Sequence, residues 1–181
     1  MQVGIDALDG SEVDVNDFIT YYPSAGVSDV VIENPKGLNY NGVVVERGSV
    51  LDLSTAKLRI LNAGQAWGGS SGGIAVTGHS TMYAGANLIT SGSHGQGIYV
   101  NGDSQATPDG SSITGNNHGG LVAVNLSTIS TVKWDLPVTV SGNATDVFCD
   151  SQSVITGGSK IINASSVQCP NLLPYDTVQI P

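Results

Sequence analysis

Gly97-Ile98-Tyr99-Val100, with Ser104 and Ala106 after it, decides the fold, because the same series returns along the chain in the same order. Earlier it reads Gly4-Ile5-Asp6-Ala7 with Ser11 and Val13, then Gly42-Val43-Val44-Val45 with Ser49 and Leu51, then Gly73-Ile74-Ala75-Val76 with Ser80 and Met82. Later it reads Gly120-Leu121-Val122-Ala123 with Ser127 and Ile129, and finally, with Asp for Gly, Asp146-Val147-Phe148-Cys149 with Ser153 and Ile155. The serine keeps one offset from the first residue in every copy. A seventh copy opens as Ser166-Val167-Gln168-Cys169 and then departs from the pattern.

Within each unit apolar residues alternate, as in a strand with one face inward. The Gly permits a sharp corner before that strand. The Ser falls in a turn, where its hydroxyl can bond nearby backbone. A second strand follows (Val13/Val15, Leu51/Leu53, Met82/Ala84), and a third closes the unit (Leu58/Ile60, Leu88/Ile89, Ile113, Val138/Val140, Ile161/Ile162). Three short strands and three turns, recurring about every 24 residues in the middle copies and at longer gaps in the first, make a solenoid rung. A β-sandwich has no fixed-register repeat, and a propeller blade is longer. The pattern therefore predicts an all-β, single-stranded, right-handed parallel β-helix of about six to seven coils. Residues 1–165 form the helix, and residues 166–181 form a non-repeat C-terminal cap or oligomerisation segment. Extra residues between Asn16 and Lys36 and around Gly64 to Gly72 read as loops on one side of the solenoid. Met1 opens inside the repeat and reads as an expression start or an internal start, with residues upstream.

Composition agrees with this reading and excludes several partners. The 181 residues include 24 glycines, 40% hydrophobic residues and only 12% charged ones, with a net charge of −9. No stretch keeps a helical apolar face for long. Six Lys and Arg in all cannot track a phosphate backbone, which excludes nucleic acid. No apolar run reaches membrane-spanning length, so no membrane insertion is expected. Neutral glycans or cationic groups are easier partners for so acidic a surface than polyanions.

Ile113-Thr114-Gly115-Asn116-Asn117-His118-Gly119-Gly120-Leu121-Val122-Ala123 resembles the rungs of bacteriophage tailspike and tail-fibre β-helices. Gly95-Gln96-Gly97-Ile98-Tyr99-Val100-Asn101-Gly102 and Asn125-Leu126-Ser127-Thr128-Ile129 read similarly, so the likeness covers roughly Gly72 to Asn163. Pectate-lyase-like enzymes, alginate epimerases and bacterial adhesins share such rungs. The resemblance implies a homotrimer that binds, and often cleaves, bacterial surface polysaccharide from the virion tail. Alternatives are a polysaccharide-degrading enzyme, a glycoside hydrolase rather than a lyase, and an extracellular adhesin or structural fibre segment. No cofactor is expected.

The outward face of the first strand is where chemistry is expected. Glu46, Thr77, Asn101 and later Asp150 should share one row, with His79 and Asp103 on the next. Glu46 and Asp103, two rungs or about 10 Å apart, are the candidate acids, since paired carboxylates at about 6.5–9.5 Å suit inverting glycoside hydrolysis. Asp109 and Asp135 are alternative acids. No cationic cluster accompanies them, as a lyase acting on a uronate would need. Trp67 and Trp134, in expected loops, and Tyr99 offer ring faces for sugar stacking, with Asn101 and His79 as polar neighbours. Tyr40 and Tyr83 could add to them. The alternative for the tryptophans is to anchor their loops. His94 and His118 read as a turn ladder without a third metal ligand. Asp6, Asp9, Glu12, Asp14 and Asp17 carry no calcium signature, so no metal is expected. Cys149 and Cys169 share an inward position on the last two coils. They either form a disulfide or stack as reduced thiols.

Overall fold

A computed structural model describes residues 3–14, 29–33, 41–53, 57–64, 72–85 and 88–174. Trp67, Tyr40, Asp17 and the C-terminal Tyr175, Val178 and Ile180 lie outside the described residues.

The chain winds through three strands per coil. The first coil is β1 (Val3–Ala7), β2 (Glu12–Asp14) and β3 (Asp29–Glu33). The next are β4 (Asn41–Glu46), β5 (Val50–Leu53) and β6 (Lys57–Leu61), then β7 (Gly72–Thr77), β8 (Thr81–Ala84) and β9 (Leu88–Ser91). They continue with β10 (Gln96–Asn101), β11 (Gln105–Thr107) and β12 (Ser112–Thr114), then β13 (Gly119–Val124), β14 (Thr128–Ser130) and β15 (Val138–Ser141). The last are β16 (Thr145–Cys149), β17 (Val154–Thr156) and β18 (Ile161–Ile162), followed by β19 (Val167–Gln168) and β20 (Leu172–Leu173). Among the described residues, counterparts stack into two sheets of seven strands and one of six. Every strand pairing is parallel. The molecule is an all-β parallel β-helix, as the repeat predicts. Among the described residues no helix is long and apolar enough to cross a membrane.

The copies stack in the expected register. Val43, Ile74, Ile98, Leu121 and Val147 form one inward row. Leu51, Met82, Ala106, Ile129 and Ile155 form another in the second sheet. All ten are at most 1% exposed and belong to one continuous core. Each large aliphatic side chain so enclosed contributes about 1.5–3 kcal/mol.

One reading of the repeat needs correction and another is extended. The conserved-offset Gly is not there for a corner. Gly42, Gly73, Gly97 and Gly120 keep negative φ, but a Cβ on Gly97 would meet Ile113 Cγ2 at 2.4 Å. One on Gly73 or Gly120 would meet a carbonyl oxygen of the next rung at 2.5 Å. Glycine stands there because the rungs close tightly on that spot. The serine does bond backbone, but in the neighbouring rung as well. Ser49, Ser80, Ser104 and Ser127 donate their backbone N–H to the hydroxyl of the serine one rung on, at 3.2–3.4 Å. These serines are at most 1% exposed.

Part of the expected loop between Asn16 and Lys36 is a strand. Asp29–Glu33 pairs with β6 and supplies the third side of the first coil. Its Ile32 is partly buried and packs against the core. Beyond residue 165, β19 and β20 add a last strand to two sheets.

At that end Asp146 takes the register place of Gly120 and is fully buried. Its carboxylate accepts from Asn143 N–H and Nδ2 and from Ser165 N–H, Ser165 hydroxyl and Ser166 N–H. Burial works against its charge, but these bonds outweigh it and hold the pKa down at about 2. The same polar ladder runs back through the third corner. Asn143 Oδ1 accepts from Asn116, and Asn116 Oδ1 accepts from Ser93 N–H. Cys149 and Cys169 are joined by a disulfide, with Cα atoms 4.4 Å apart, which ties the two end rungs of the first sheet together.

Candidate functional site

The turns after the first-sheet strands carry the polar candidates. Five successive turns place two residues at positive φ: Asp9-Gly10, Arg47-Gly48, Gly78-His79, Gly102-Asp103 and Asn125-Leu126. Their side chains therefore stand out in a line along one edge of the solenoid. His79 and Asp103 are on adjacent rungs, Nε2 to Oδ2 3.8 Å, and both are exposed. Glu46 pairs with Thr77, and Thr77 with Asn101, as the row required. Val124 then takes the next place and Asp150 follows Cys149, the partner of Ala123. Asn101 Oδ1 accepts from Asn125 Nδ2 at 2.7 Å, and Asp150 Oδ2 accepts from Asn125 N–H at 2.7 Å.

The two candidate acids are each turned to a local base. Glu46 Oε1 lies 3.5 Å from Arg47 Nε, and Arg47 also binds Asp9 at 3.1 Å. Asp103 faces His79. Register places Glu46 and Asp103 two rungs apart.

Trp134 stands away from this edge. Its loop follows β14 and folds back along the second sheet, where Lys133 Nζ sits 3.6 Å from the Tyr83 ring centroid and 4.6 Å from that of Trp134. Asp109, fully buried, accepts the Trp134 N–H on one oxygen and has no partner on the other. Burial pushes its pKa up, against the backbone bonds from Trp134 and Lys133. Asp135 is paired with Lys160. The two alternative acids thus hold a loop, and the half-buried Trp134 sits over a lysine that already occupies the face of Tyr83.

A cleft of about 330 Å³ opens on the outer face of the first sheet. Its lining brings together Tyr99, Val122, Phe148 and Gln168, which hold one outward row on successive rungs. Val122 forms the floor. Tyr99 and Phe148 stand on either side, two rungs or about 10 Å apart, a gap that admits one ring-sized group. Gln96, His118, Gly119, Val124 and Thr145 complete the wall. Burial, and then the charge of Asp150, push the Tyr99 phenol above its ordinary pKa of 10. Asp150 itself keeps a lowered pKa: burial opposes its charge, but hydrogen bonds from Asn125, Ser153 and Gln152 prevail. Asp150 follows Cys149 and so stands at the register place of Val124, which lines the cleft.

The chain matches no family model, no curated protein and no solved structure. The solenoid is established by its own strand pairings.

Of the expected sugar-binding residues, Tyr99 lies in the cleft, Asn101 lies two residues along the same strand, and His79 is on the turn edge. Trp134 is on another side, and Trp67 is outside the described residues. Phe148, Val122, Gln96 and Gly119 were not anticipated. Reading the outward position down the repeat (Asp6, Val44, Ala75, Tyr99, Val122, Phe148, Gln168) would have exposed the aromatic pair. His94 and His118 are one residue out of register. Strand register sets His118 level with Gly95, and only His118 lines the cleft. Among the described residues no group of three or more His, Cys, Asp and Glu could hold a metal.

Proposed function

We propose that this chain is a recognition module for bacterial surface polysaccharide, of the kind carried by phage tailspikes and tail fibres, and that it works as a homotrimer. The observation that carries this reading is the cleft between Tyr99 and Phe148. Its aromatic walls and apolar floor suit the apolar face of a pyranose, and its polar rim suits the hydroxyls. The tailspike-like rungs from Gly72 to Asn163 add to it. Ile162, Val167 and Leu173, on the last strands, are 38–48% exposed and offer sister chains an apolar surface.

Binding of labelled capsular and O-antigen polysaccharides tests the reading. Tyr99→Ala and Phe148→Ala should each weaken binding of a recognised polysaccharide about ten-fold, the loss of one stacking face. Undiminished binding by the double variant would remove the cleft as the site. Light scattering tests assembly, and a clean monomer would count against a trimeric spike.

A secreted adhesin or fibre segment is the second reading. The Cys149–Cys169 disulfide favours it, because such bonds persist in oxidising surroundings outside the cytosol. Both readings place the protein at an extracellular surface and share the cleft; they part on oligomeric state.

A further inference from the structure

Building on the glycan reading, we infer that the cleft on the first sheet is made for an uncharged pyranose bearing an N-acetyl group. Gln96 is the first observation. It is 8% exposed, it lines the cleft, and its Oε1 has no hydrogen-bond partner. An acceptor buried without a donor is a standing penalty that a ligand N–H can relieve. The last torsion of a glutamine side chain is soft, so a small rotation turns the oxygen to a donor in the cleft.

The floor beside it is the second observation. Val122 and Val124 present methyl groups there, and Gly119 presents backbone. A Cβ on Gly119 would lie 2.5 Å from Val122 Cγ2, 3.6 Å from the Thr145 carbonyl oxygen and 3.7 Å from Gln96 Cγ, so glycine lets the Val122 methyl lie against its backbone, beside the Gln96 side chain. An acetamido group matches the pair: its N–H reaches Gln96 Oε1 while its methyl rests on the Val122 side chain beside it. A hexose hydroxyl supplies the donor without the methyl, and a 6-deoxy sugar supplies a methyl without the adjoining donor.

Charge is the third. Among the described residues no Lys or Arg lines the cleft, and Asp150, which follows Cys149 and so takes the register place of the cleft-lining Val124 one rung on, adds a carboxylate beside it. A uronate or phosphorylated sugar would meet repulsion with no cation to offset it.

The test is titration by solution NMR of the full chain, following valine methyl and aromatic signals. The probes are N-acetylglucosamine, N-acetylgalactosamine, glucose, galactose, fucose and glucuronate. At least one N-acetyl sugar should bind about ten-fold more tightly than its parent hexose, with fucose between them and glucuronate weakest. Gln96→Leu, which removes an unpaired oxygen and so spares the fold, should abolish most of that preference. Val122→Thr should reduce it about four-fold, the worth of one buried methyl. Equal binding of hexose and N-acetyl sugar at the cleft would overturn the inference and leave glycan recognition standing. Preference retained in Gln96→Leu, or tighter binding of glucuronate, would also overturn it. If no sugar moves the cleft signals the inference fails, and the polysaccharide assay with Tyr99→Ala and Phe148→Ala then judges the broader reading separately.

Discussion

The two faces of the first sheet are both apolar, yet they obey different rules. Inward, Val43, Ile74, Ile98, Leu121 and Val147 are branched aliphatics at every rung, and each is at most 1% exposed. Outward, the row runs Val44, Ala75, Tyr99, Val122, Phe148, Gln168, small at one end and alternating large and small at the other. Each inward residue must fill the same cross-section, because the rung above and below leaves no other space. Nothing in the stacking demands an aromatic at Tyr99 or Phe148. Uniformity thus marks positions held by the fold, and unevenness marks positions free to serve something outside it.

Substitution on the two faces should separate stability from binding. Leu121→Ala opens a cavity that neighbouring rungs cannot close and should lower unfolding free energy by about 3 kcal/mol. Phe148→Ala, on the half-exposed outer face, should change it by less than about 1 kcal/mol while weakening polysaccharide binding. Urea unfolding of both variants measures the contrast. Comparable losses would mean that the outer row is as structural as the inner one.

The next test lies where the repeat stops. Asp146 holds its carboxyl at about 2 against an ordinary 3.8, so the folded state binds that proton less well than the unfolded one. Its contribution is therefore full above about pH 4 and falls away as pH drops toward 2. It amounts to on the order of 2 kcal/mol. Asp150 shifts in the same direction, and Asp109, raised by burial, in the other. The difference between the parent chain and Asp146→Asn isolates the one residue. That difference should be greatest near neutral pH and shrink by pH 2 to what is left of the hydrogen bonds. A gap that does not change with pH would mean that the charge of Asp146 does no work.

The Gly–apolar–Ser series made the strands, their order and their register legible, because stacking imposes the same demand at every rung. The same reading mistook the reason for the glycines. A close approach between rungs leaves no mark on one rung's own sequence. Asp29–Glu33 passed for a loop because its coil is stretched by inserted residues, although Val30-Val31-Ile32 is a β-branched run of the kind strands favour. The site was half visible: Tyr99 stood out as an outward aromatic, while Phe148 hid in the copy where Asp146 replaces glycine. Gln96 could not be foreseen, since an unpaired oxygen is a property of packing and not of residue type.

Thr90 offers the smallest test and the one with opposite sign. It sits in the inward row of the third sheet, with Ile60 and Ile113 as its partners on either side. It is fully buried, and its hydroxyl has no hydrogen-bond partner. By the rule of the inward face this place belongs to an aliphatic residue. Valine has nearly the same shape and no oxygen to desolvate, so Thr90→Val should stabilise the protein by about 1 kcal/mol. A melting temperature that rises by a few degrees would extend the rule to all three sheets. A fall would show that the Thr90 hydroxyl is satisfied in solution, and that this inward position answers to hydrogen bonding as well as to space.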